Sequence, residues 1–449
     1  MTFPNHKVYR DTGLQWLRRV PDHWEILPLW TLFRRVKRVN FEDEQLLSVY
    51  RDYGVVPKAS RDDNFNKPSD DLSLYQLVEP GDLAINKMKA WQGSVAISDF
   101  RGIVSPAYFV FKALHNENSR YLHYLLRSAE YTAAYLSISK GIRPNQWDLE
   151  PQEHSRMPVL VPPPPEQAAI AAFLDRETGK IDALVEEQKR LIELLKKKRQ
   201  AVISHAVTKG LNPGFPMKAS GIEWLGDVPE HWEAKKLKAL TPQITVGIVV
   251  EPSKYYADSG VPALRSLNVR PGRINSEGLV YISAEANEAL EKSQIRAGDL
   301  VAVRSGQPGT TAVVPEEFDG ANCIDLIIIR KPTFGSEWFL CWFLASDVAV
   351  RQFAEGSGGA IQQHFNIGTA MNLVVAVPPP DEQIEIANFL RDATSKVDLL
   401  IEEAERAVEL LCERRTAIIS AAVTGKIDVR GVSRANTAGA ASAKKAAFA

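Results

Sequence analysis

Hydrogen-bonding side chains gather in two pairs of loops that also carry glycine or proline. The first pair reads INKMKAWQG at residues 85–93 and GIRPNQ at residues 141–146. The second pair reads VRSGQPG at residues 303–309 and AIQQH at residues 360–364. Glycine and proline let a backbone come close to a ligand, so these loops suit recognition by hydrogen bonds. The alternative is that they are solvated turns between strands.

No catalytic motif accompanies these loops. The sequence has no Walker A loop, no His-Glu-x-x-His helix and no Gly-x-Ser-x-Gly elbow. No Gly-rich loop indicates a nucleotide or S-adenosylmethionine pocket, and the 8 histidines do not cluster at metal spacings. The 3 cysteines lack paired spacing, which fits a reducing cytoplasm. We therefore expect no catalytic residue, metal or cofactor in this cytoplasmic chain.

Net charge does not identify a partner. The 449 residues carry a formal net charge of −1, which is not the positive balance of an obvious nucleic-acid binder. A local basic face can still act within a neutral chain. No secretory signal or bilayer-length apolar run is present.

Two segments of the chain occur twice. The phrase LQWLRRVPDHW at residues 14–24 returns as IEWLGDVPEHW at residues 222–232. Residues 166–208 match residues 382–424 without a gap, with roughly half of the positions identical. Short apolar runs and prolines precede each copy, as MPVLVPPPPEQ and VVAVPPPDEQ. His23 and His231, the repeated histidines, are predicted to be packed structural residues, and a role as ligands or bases is the alternative.

The segments between these repeats hardly resemble one another. PGDLAINK at residues 80–87 parallels AGDLVAVR at residues 297–304, each a turn that feeds a short apolar strand. Residues 103–110 and 324–329 predict strands, and residues 121–136 and 338–353 predict helices. The expected fold class is α/β, in the sense of mixed α+β, with two divergent domains in a pseudo-two-fold internal repeat.

The repeated tails predict long helices. A short helix is expected to end near Arg176, with Thr178 and Thr394 capping a second, longer helix in each copy. Apolar positions recur every three or four residues, as in the a and d positions of a heptad, which predicts that the two helices pair antiparallel through the same patch. One such stripe alone would fit an ordinary core helix. The expected stripes are Leu174, Ile181, Leu184, Gln188, Leu191, Leu195, Lys198 and Val202 in the first copy, and Leu390, Val397, Leu400, Ala404, Ala407, Leu411, Arg414 and Ile418 in the second.

Together these patterns divide the chain into five segments. Residues 1–157 form a first divergent domain with its head, and residues 158–209 a helical segment. Residues 210–373 form a junction and second divergent domain, residues 374–425 a second helical segment, and residues 426–449 a disordered tail rich in Ala, Ser and Lys.

The repeated motifs resemble one known family. The W-L-x-x-V-P-x-H-W heads, the VPPPPEQ and VPPPDEQ segments and the K-[IV]-D-x-L-[IV]-E-E helix starts are similar to those of the specificity subunits of type I restriction-modification systems. The junction GLNPGFPMKASGIEWLGDVPEHW at residues 210–232 looks especially like this family, and the likeness runs from about residue 10 to residue 430.

The resemblance implies a fold and a function. Two target recognition domains, separated by two antiparallel coiled-coil helices, would each read half of a split, asymmetric DNA site. The helices would set the gap and dock two modification subunits, which bind S-adenosylmethionine and methylate adenine. Restriction subunits would add ATP- and magnesium-dependent translocation and cleavage, so the chain itself would not be an enzyme.

The polar loops are then the candidate DNA contacts. Arg and Lys favour guanine edges, Asn and Gln favour adenine edges, and phosphate contacts set position. The candidates are Lys87, Lys89, Trp91, Gln92, Arg143, Asn145, Gln146, Arg304, Ser305, Gln307, Gln362, Gln363 and His364.

Large aromatic residues in the repeated segments are candidates for docking the partner subunits, because two copies of one partner need two similar surfaces. Core packing is the alternative for each. The candidates are Trp16, Trp24, Phe173, Trp224, Trp232 and Phe389.

Three other functions stay open at this stage. The chain could be a stand-alone nuclease with a diffuse site, a coiled-coil scaffold that binds only proteins, or the specificity subunit of a related fused restriction-modification system.

Overall fold

The chain forms two compact units, and each unit contains part of both repeated helices. The computed structural model describes residues 3–51, 53–61, 67–141, 147–305, 309–356 and 365–431, with residues 354–356 described by their backbone alone. Unit 1 comprises Met1–Gln188 with Arg406–Ala449, and unit 2 comprises Lys189–Glu405. Helices and strands mix in both units, which confirms the predicted α/β class. The five-segment division stays a prediction.

The first stretch of unit 1 begins with small antiparallel strands and leads into a long helix, which continues into unit 2. Its described elements are β1 (Tyr9–Leu14), β2 (Leu17–Pro21), β3 (Glu25–Pro28), α1 (Leu29–Leu32), β4 (Phe33–Val36), β5 (Leu47–Tyr50), β6 (Gly54–Pro57), β7 (Gln76–Val78), β8 (Leu83–Asn86), β9 (Val95–Ile97), β10 (Gly102–Val104), β11 (Tyr108–Ala113), α2 (Ser119–Leu126), α3 (Ala129–Ser137), β12 (Ser139–Lys140), β13 (Asp148–Leu149), α4 (Pro151–Arg156), β14 (Pro158–Val161) and α5 (Pro164–Lys209).

A four-stranded antiparallel sheet forms the centre of unit 1, in the order β4-β11-β8-β9. Both faces of β8 are buried because side chains alternate along a strand. Leu83 and Ile85 join the core that α2 and α3 cover, while Ala84 joins a second core with Val49 and Val55.

Unit 2 begins within α5 and repeats this plan with additions. Its further elements are β15 (Met217–Ala219), β16 (Asp227–Pro229), β17 (Glu233–Lys236), β18 (Ile244–Val246), β19 (Tyr256–Ala257), β20 (Val261–Leu264), β21 (Val269–Arg270), β22 (Arg273–Ile274), β23 (Val280–Ile282), α6 (Ala284–Ala289), β24 (Leu300–Val303), β25 (Thr311–Val313), β26 (Asn322–Cys323), β27 (Leu326–Ile329), α7 (Glu337–Leu344), α8 (Asp347–Gly356), α9 (Ile367–Asn372), β28 (Val374–Val377) and α10 (Pro380–Val423).

The central sheet of unit 2 matches that of unit 1. Its order is β18-β27-β24-β25, and β24 again buries both faces, with Leu300 and Ala302 in one core and Val301 and Val303 in another. Unit 2 also has a mixed sheet, β19-β23-β20-β26, in which β20 and β26 run parallel. Each unit therefore contains its own four-stranded sheet of the same plan, but the elements around the two sheets differ.

One strand pair closes each divergent segment at its two ends. In unit 1, β3 pairs with β14, and the Leu29 amide donates to the Met157 carbonyl at 2.8 Å. In unit 2, β17 pairs with β28, and the Leu237 amide donates to the Leu373 carbonyl at 2.7 Å. The repeated head and the start of each long helix are thereby brought together.

The predicted single helices in the divergent segments were wrong in detail. Residues 121–136 fall in two helices, α2 and α3, because Ser128 begins a new helix as its N-cap residue. Residues 338–353 likewise fall in α7 and α8. The predicted strand at residues 103–110 is split between β10 and β11, and the one at residues 324–329 begins at Leu326.

The predicted break before each long helix was also wrong. Helix α5 runs without interruption for 46 residues, and α10 runs for 44. Thr178 and Thr394 do not cap a helix, because each lies inside one and its hydroxyl donates to the carbonyl four residues earlier, at 2.7 Å in both copies. A threonine can therefore occur inside a helix as well as at its N-cap, and the sequence alone did not distinguish the two positions.

Five of the eight predicted positions in each stripe are confirmed, and the other three were wrong by one residue, although Ala407 is itself partly buried. The positions starting at Leu174 and Leu390 and repeating every seven residues are buried or partly buried. The intervening inward positions are one residue later than predicted, so Leu184 and Leu191 are 51% and 43% exposed. The observed inward residues there are Thr178, Val185, Ile192 and Arg199 in α5, and Thr394, Ile401, Val408 and Arg415 in α10.

The long helices pack antiparallel within each unit. In unit 1, Arg415 bonds Asp182 at 2.9 Å, and Gly425 lies beside Trp24, which bonds Glu166 near the start of α5. In unit 2, Arg199 bonds Asp398 at 2.8 Å, and Gly210 lies beside Glu382 near the start of α10. The repeat aligns Asp182 with Asp398 and Arg199 with Arg415, so the two ion pairs are counterparts. This reciprocity is what an internal two-fold repeat predicts.

Candidate nucleic-acid interface

The first candidate loop follows β8 in unit 1. The Lys87 amide donates to the Ala107 carbonyl at 3.1 Å, and the Lys87 carbonyl accepts from the Leu149 amide at 3.0 Å. The backbone of the loop is thus held between neighbouring segments, while the Lys89 side chain is exposed. An anchored backbone with an exposed cation suits a positioned polar contact.

Trp91 packs against a tryptophan that sequence reasoning did not single out. Its ring centroid lies 4.9 Å from that of Trp147, and its indole donates to the Met88 carbonyl at 3.0 Å. Gln92 is exposed, and Gly93 ends the short turn at φ 88°, a conformation that favours glycine. Trp91 is half-buried, so it shapes the loop and keeps part of its ring exposed.

A polar cleft of about 530 Å³ opens beside this loop. Three lysines line it, Lys58, Lys67 and Lys89, together with polar and aromatic side chains that include Tyr75 and Tyr108. Burial raises the pKa of the Tyr108 phenol further above its usual value, so the phenol is protonated at neutral pH. Lys58 and Lys67 were missed from the sequence because they lie outside the Gly/Pro loops, and only the fold brings them to Lys89.

The corresponding loop of unit 2 follows β24. Arg304 forms an ion pair with Asp325, and its carbonyl accepts from the Phe365 amide at 3.0 Å. Asp325 has φ 52°, in the left-handed region that aspartate and asparagine tolerate better than most residues. Ser305 follows Arg304 directly. The guanidinium is therefore positioned by a carboxylate that sequence reasoning did not identify.

The other candidate DNA contacts cannot be placed. They lie outside the described residues, and these are Arg143, Asn145, Gln146, Gln307, Gln362, Gln363 and His364.

The repeated head holds the first turn of each long helix through a glutamate. In unit 1, the His23 Nε2 atom lies 2.8 Å from one oxygen of Glu166, and the Trp24 indole donates to the other at 3.0 Å. In unit 2, the His231 Nε2 atom and the Trp232 indole contact Glu382 at 2.8 and 3.1 Å. The side chains of His23 and His231 are 39% and 37% exposed, so their packed structural role stays a prediction.

The glutamine that follows each glutamate fixes a second element. The Gln167 side chain accepts from the Asn118 amide at 2.9 Å, immediately before α2, and donates to the Pro162 carbonyl at 2.8 Å. Gln383 accepts from the Ser336 amide at 2.9 Å, immediately before α7, and donates to the Pro378 carbonyl at 2.9 Å. The repeated Glu-Gln pair therefore ties head, sheet-covering helix and long helix together in both units.

The aromatic partner candidates divide by burial. Trp24, Trp232 and Phe173 are buried, and Phe173 makes an edge contact with Phe3 at 5.2 Å. Trp16 and Trp224 are partly buried, and Phe389 is 45% exposed. The three buried rings pack inside this chain, the alternative that the sequence left open, while a docking role for the others stays a prediction.

The chain is similar over most of its length to curated specificity subunits of type I restriction enzymes. It is 22% identical over 441 residues to the EcoKI specificity subunit of Escherichia coli K12, with 91% of this chain and 90% of that protein covered. It is 23% identical over 432 residues to the MjaVIII specificity subunit of Methanocaldococcus jannaschii, with 92% and 95% covered. These matches confirm the resemblance inferred from the repeated motifs.

A solved structure shares the fold. It is described as concerning complex assembly and conformational transition of the type I R-M system, and it matches with a TM-score of 0.63 at 16% identity, covering 91% of this chain and 99% of that one. No protein-family profile matches the chain. None of the helices in the described part of the chain has an apolar stretch of bilayer-spanning length.

Proposed function

We propose that this chain is the DNA sequence-recognition subunit of a type I restriction-modification complex, as its likeness to type I specificity subunits indicates. Each unit reads one half of a bipartite, asymmetric site. The paired helices set the number of unread base pairs and dock two modification subunits. The chain is not itself an enzyme, and it acts in the cytoplasm, where its DNA is.

One observation carries the proposal beyond sequence likeness. Lys87 and Arg304 follow corresponding strands, β8 and β24, in matching four-stranded sheets. Their surroundings differ. A lysine-lined cleft lies beside the loop of Lys87, whereas Arg304 forms an ion pair with Asp325. Similar scaffolds with unlike polar edges are what a reader of two unlike half-sites requires.

The proposed partners follow from the same likeness. Modification subunits would bring S-adenosylmethionine, and restriction subunits would bring ATP and magnesium. The repeated segments offer them paired surfaces, because Trp16 and Trp224 occupy counterpart places in the repeated head and both are partly buried.

Arg304→Ala tests the reading role of unit 2. The target is first identified by mapping methylated adenines in the host genome. We expect the assembled complex with Arg304→Ala to bind its specific site about 5- to 150-fold more weakly, the range for losing a base contact, with random DNA little affected. Fluorescence titration at fixed salt measures both.

Lys89→Ala is the matched variant in unit 1. It should relax discrimination in the other half of the site only, whereas Arg304→Ala should relax the half that unit 2 reads. If Arg304→Ala weakens specific and random DNA equally, Arg304 is a phosphate contact or less, and the proposed reading role fails.

A further inference from the structure

Three ligand-type side chains converge in unit 1 where the long helix begins. His6 comes from the N-terminal segment, His23 from the turn between β2 and β3, and Glu166 from the first turn of α5. Their ligand atoms all lie within 4.8 Å of one another. Residues this far apart in sequence show no metal spacing, which is why the sequence predicted none.

We propose that His6, His23 and Glu166 bind a divalent transition-metal ion, with zinc the best match, and that this ion fastens the N-terminal segment and the repeated head to the long helix. Two imidazoles and a carboxylate are a ligand set that Zn²⁺ takes, with water in the fourth position. The inference departs from the sequence-based expectation of a metal-free chain. It does not depend on the proposed reading of DNA.

The distances fit a metal site after small shifts. Bonds of about 2.0–2.2 Å in a tetrahedron place neighbouring ligand atoms about 3.4 Å apart. The His6 Nε2 atom lies 3.6 Å from one Glu166 oxygen, while the His23 Nε2 atom lies 2.8 Å from the other. The first distance already matches. Because the two imidazoles contact different oxygens, a metal bound through one oxygen requires the His23 ring to move. The three ligand atoms lie within 4.8 Å of one another, and the side chain of His23, 39% exposed, has room for this shift.

The site is buried on one side and open to solvent on the other. His6 and Glu166 are buried, and His23 borders solvent. The Trp24 indole occupies one lone pair of Glu166, and a carboxylate has about four such positions, so the bond to Trp24 and a bond to metal are compatible. The indole bond then orients the carboxylate as an outer partner does in known zinc sites.

The charges around the cluster favour a cation overall. The Asp428 carboxylate lies 3.9 Å from the His6 Nδ1 atom, too far for a hydrogen bond but close enough to add negative charge to the site. When His6 binds metal through Nε2, Nδ1 carries the proton, so the guanidinium of Arg430 must move away from it. Arg430 opposes the cation, at 3.8 Å from Glu166 and 3.4 Å from His6, but Asp428 pairs with it at 2.6 Å. Two carboxylates against one guanidinium leave a net negative charge for the ion to neutralise.

Unit 2 provides an internal contrast. Its equivalent cluster has His231 and Glu382, and the ring beside His231 is Phe215, with centroids 4.8 Å apart. Within the described residues, unit 1 alone brings a second imidazole to the repeated His-Glu pair. The repeated pair by itself therefore serves packing, and His6 adds the metal-binding capacity.

The test uses the full-length chain without a tag, stripped with a chelator and titrated with zinc. Calorimetry should show one zinc per chain with a dissociation constant of about 1 µM or tighter. Cobalt should give the visible absorption of a four- or five-coordinate ion. His6→Phe, which places in unit 1 the type of ring that unit 2 has, should abolish both signals and the zinc-dependent rise in unfolding temperature of unit 1.

His231→Phe is the matched control and should leave zinc binding unchanged, because its cluster lacks a second imidazole. Circular dichroism in chelator shows whether each variant folds. The proposal is overturned if the folded natural chain takes up no zinc at these concentrations, or if His6→Phe takes up as much zinc as the natural chain.

Discussion

A single carboxylate in each repeat holds the residues that give the repeated phrase its form. Glu166 and Glu382 each accept an indole hydrogen and contact a histidine that is more than 140 positions earlier in the chain. The sequence predicted that the histidines were structural, but not their partner, because hydrogen-bond partners so distant leave no periodic trace. The one available signal in the sequence was that both the histidine and the glutamate occur in both copies of the repeat.

Buried histidine makes unit 1 sensitive to acid. Burial lowers the pKa of His154 to about 3, and neither ring nitrogen has a hydrogen-bond partner among the described residues. Its folded pKa is below the unfolded value of 6.5, so the unfolded chain binds the proton first. The stability is therefore fully present above pH 6.5 and is lost as the pH falls from 6.5 towards 3.

We expect His154→Leu to remove part of this acid sensitivity. Between pH 7.5 and pH 5, the natural chain should lose about 2 kcal/mol more unfolding free energy of unit 1 than the variant does. Urea unfolding at a series of pH values, followed by tryptophan fluorescence, measures the difference.

Met157→Leu is the control for this prediction, because it alters buried packing near His154 without removing a titrating group. It should keep the acid loss of the natural chain. An equal acid loss in His154→Leu would show that His154 does not cause it.

At the scale of elements, sequence periodicity located the long helices but predicted correctly only five of the eight positions in each contact stripe. The first predicted inward set begins at Leu174 and repeats every seven residues, and it is correct. At Ile181 and Gln188 both neighbours are charged, so no adjacent apolar residue competes for the inward position. The second set was wrong where two apolar residues adjoin, as in Leu184-Val185 and Leu191-Ile192. Either member fits a three-four spacing, and only packing against the partner helix decides which one is buried.

The observed stripe predicts how the helices can be lengthened. Seven residues inserted within residues 186–197 of α5, and seven at the matching level within residues 402–413 of α10, keep every inward position of the heptad. They add about 10 Å of helix, comparable to about three base pairs of DNA. We expect the modified site to gain base pairs in its gap and to keep the letters of both half-sites, as read by mapping methylated adenines.

Insertions of two residues at the same places are the control. They rotate the following stripe out of the contact and should destabilise the chain instead of shifting the gap. Altered half-site letters with an unchanged gap, after the seven-residue insertions, would contradict the role of the helices.

At the scale of the molecule, the sequence predicted the repeat, the class of fold and the family likeness. It could not predict which loop residues meet, because the divergent segments share only a sheet and their loops are unlike. Lys58 joins Lys89, and Asp325 joins Arg304, only through folding. The repeat therefore allowed the shared segments to be predicted, but not the loop contacts that differ between the two units.

Each divergent segment has its two ends joined by a backbone hydrogen bond, which predicts that one segment can replace the other. Residues 29–157 and residues 237–373 begin and end at the same backbone hydrogen bond, Leu29 to Met157 and Leu237 to Leu373. Replacing the first segment by a second copy of the other should give a folded chain with two like readers. We expect its complex to methylate a symmetric site that contains one original half-site twice.

The reverse replacement is the matched variant and should yield a symmetric site built from the other half. Mapped methylated adenines distinguish the two. A folded exchange variant that still modifies the original asymmetric site would show that these segments do not carry the reading.

The sharing of the long helices has a consequence during protein synthesis. Unit 2 is one continuous stretch, Lys189–Glu405, whereas the core of unit 1 includes Ile418, Ala422 and Val423 from the end of α10. A ribosome adding roughly 5–20 residues per second needs about 10–40 s to pass from one boundary to the other. The unit that emerges first must therefore wait, incompletely covered, until nearly the whole chain has been translated.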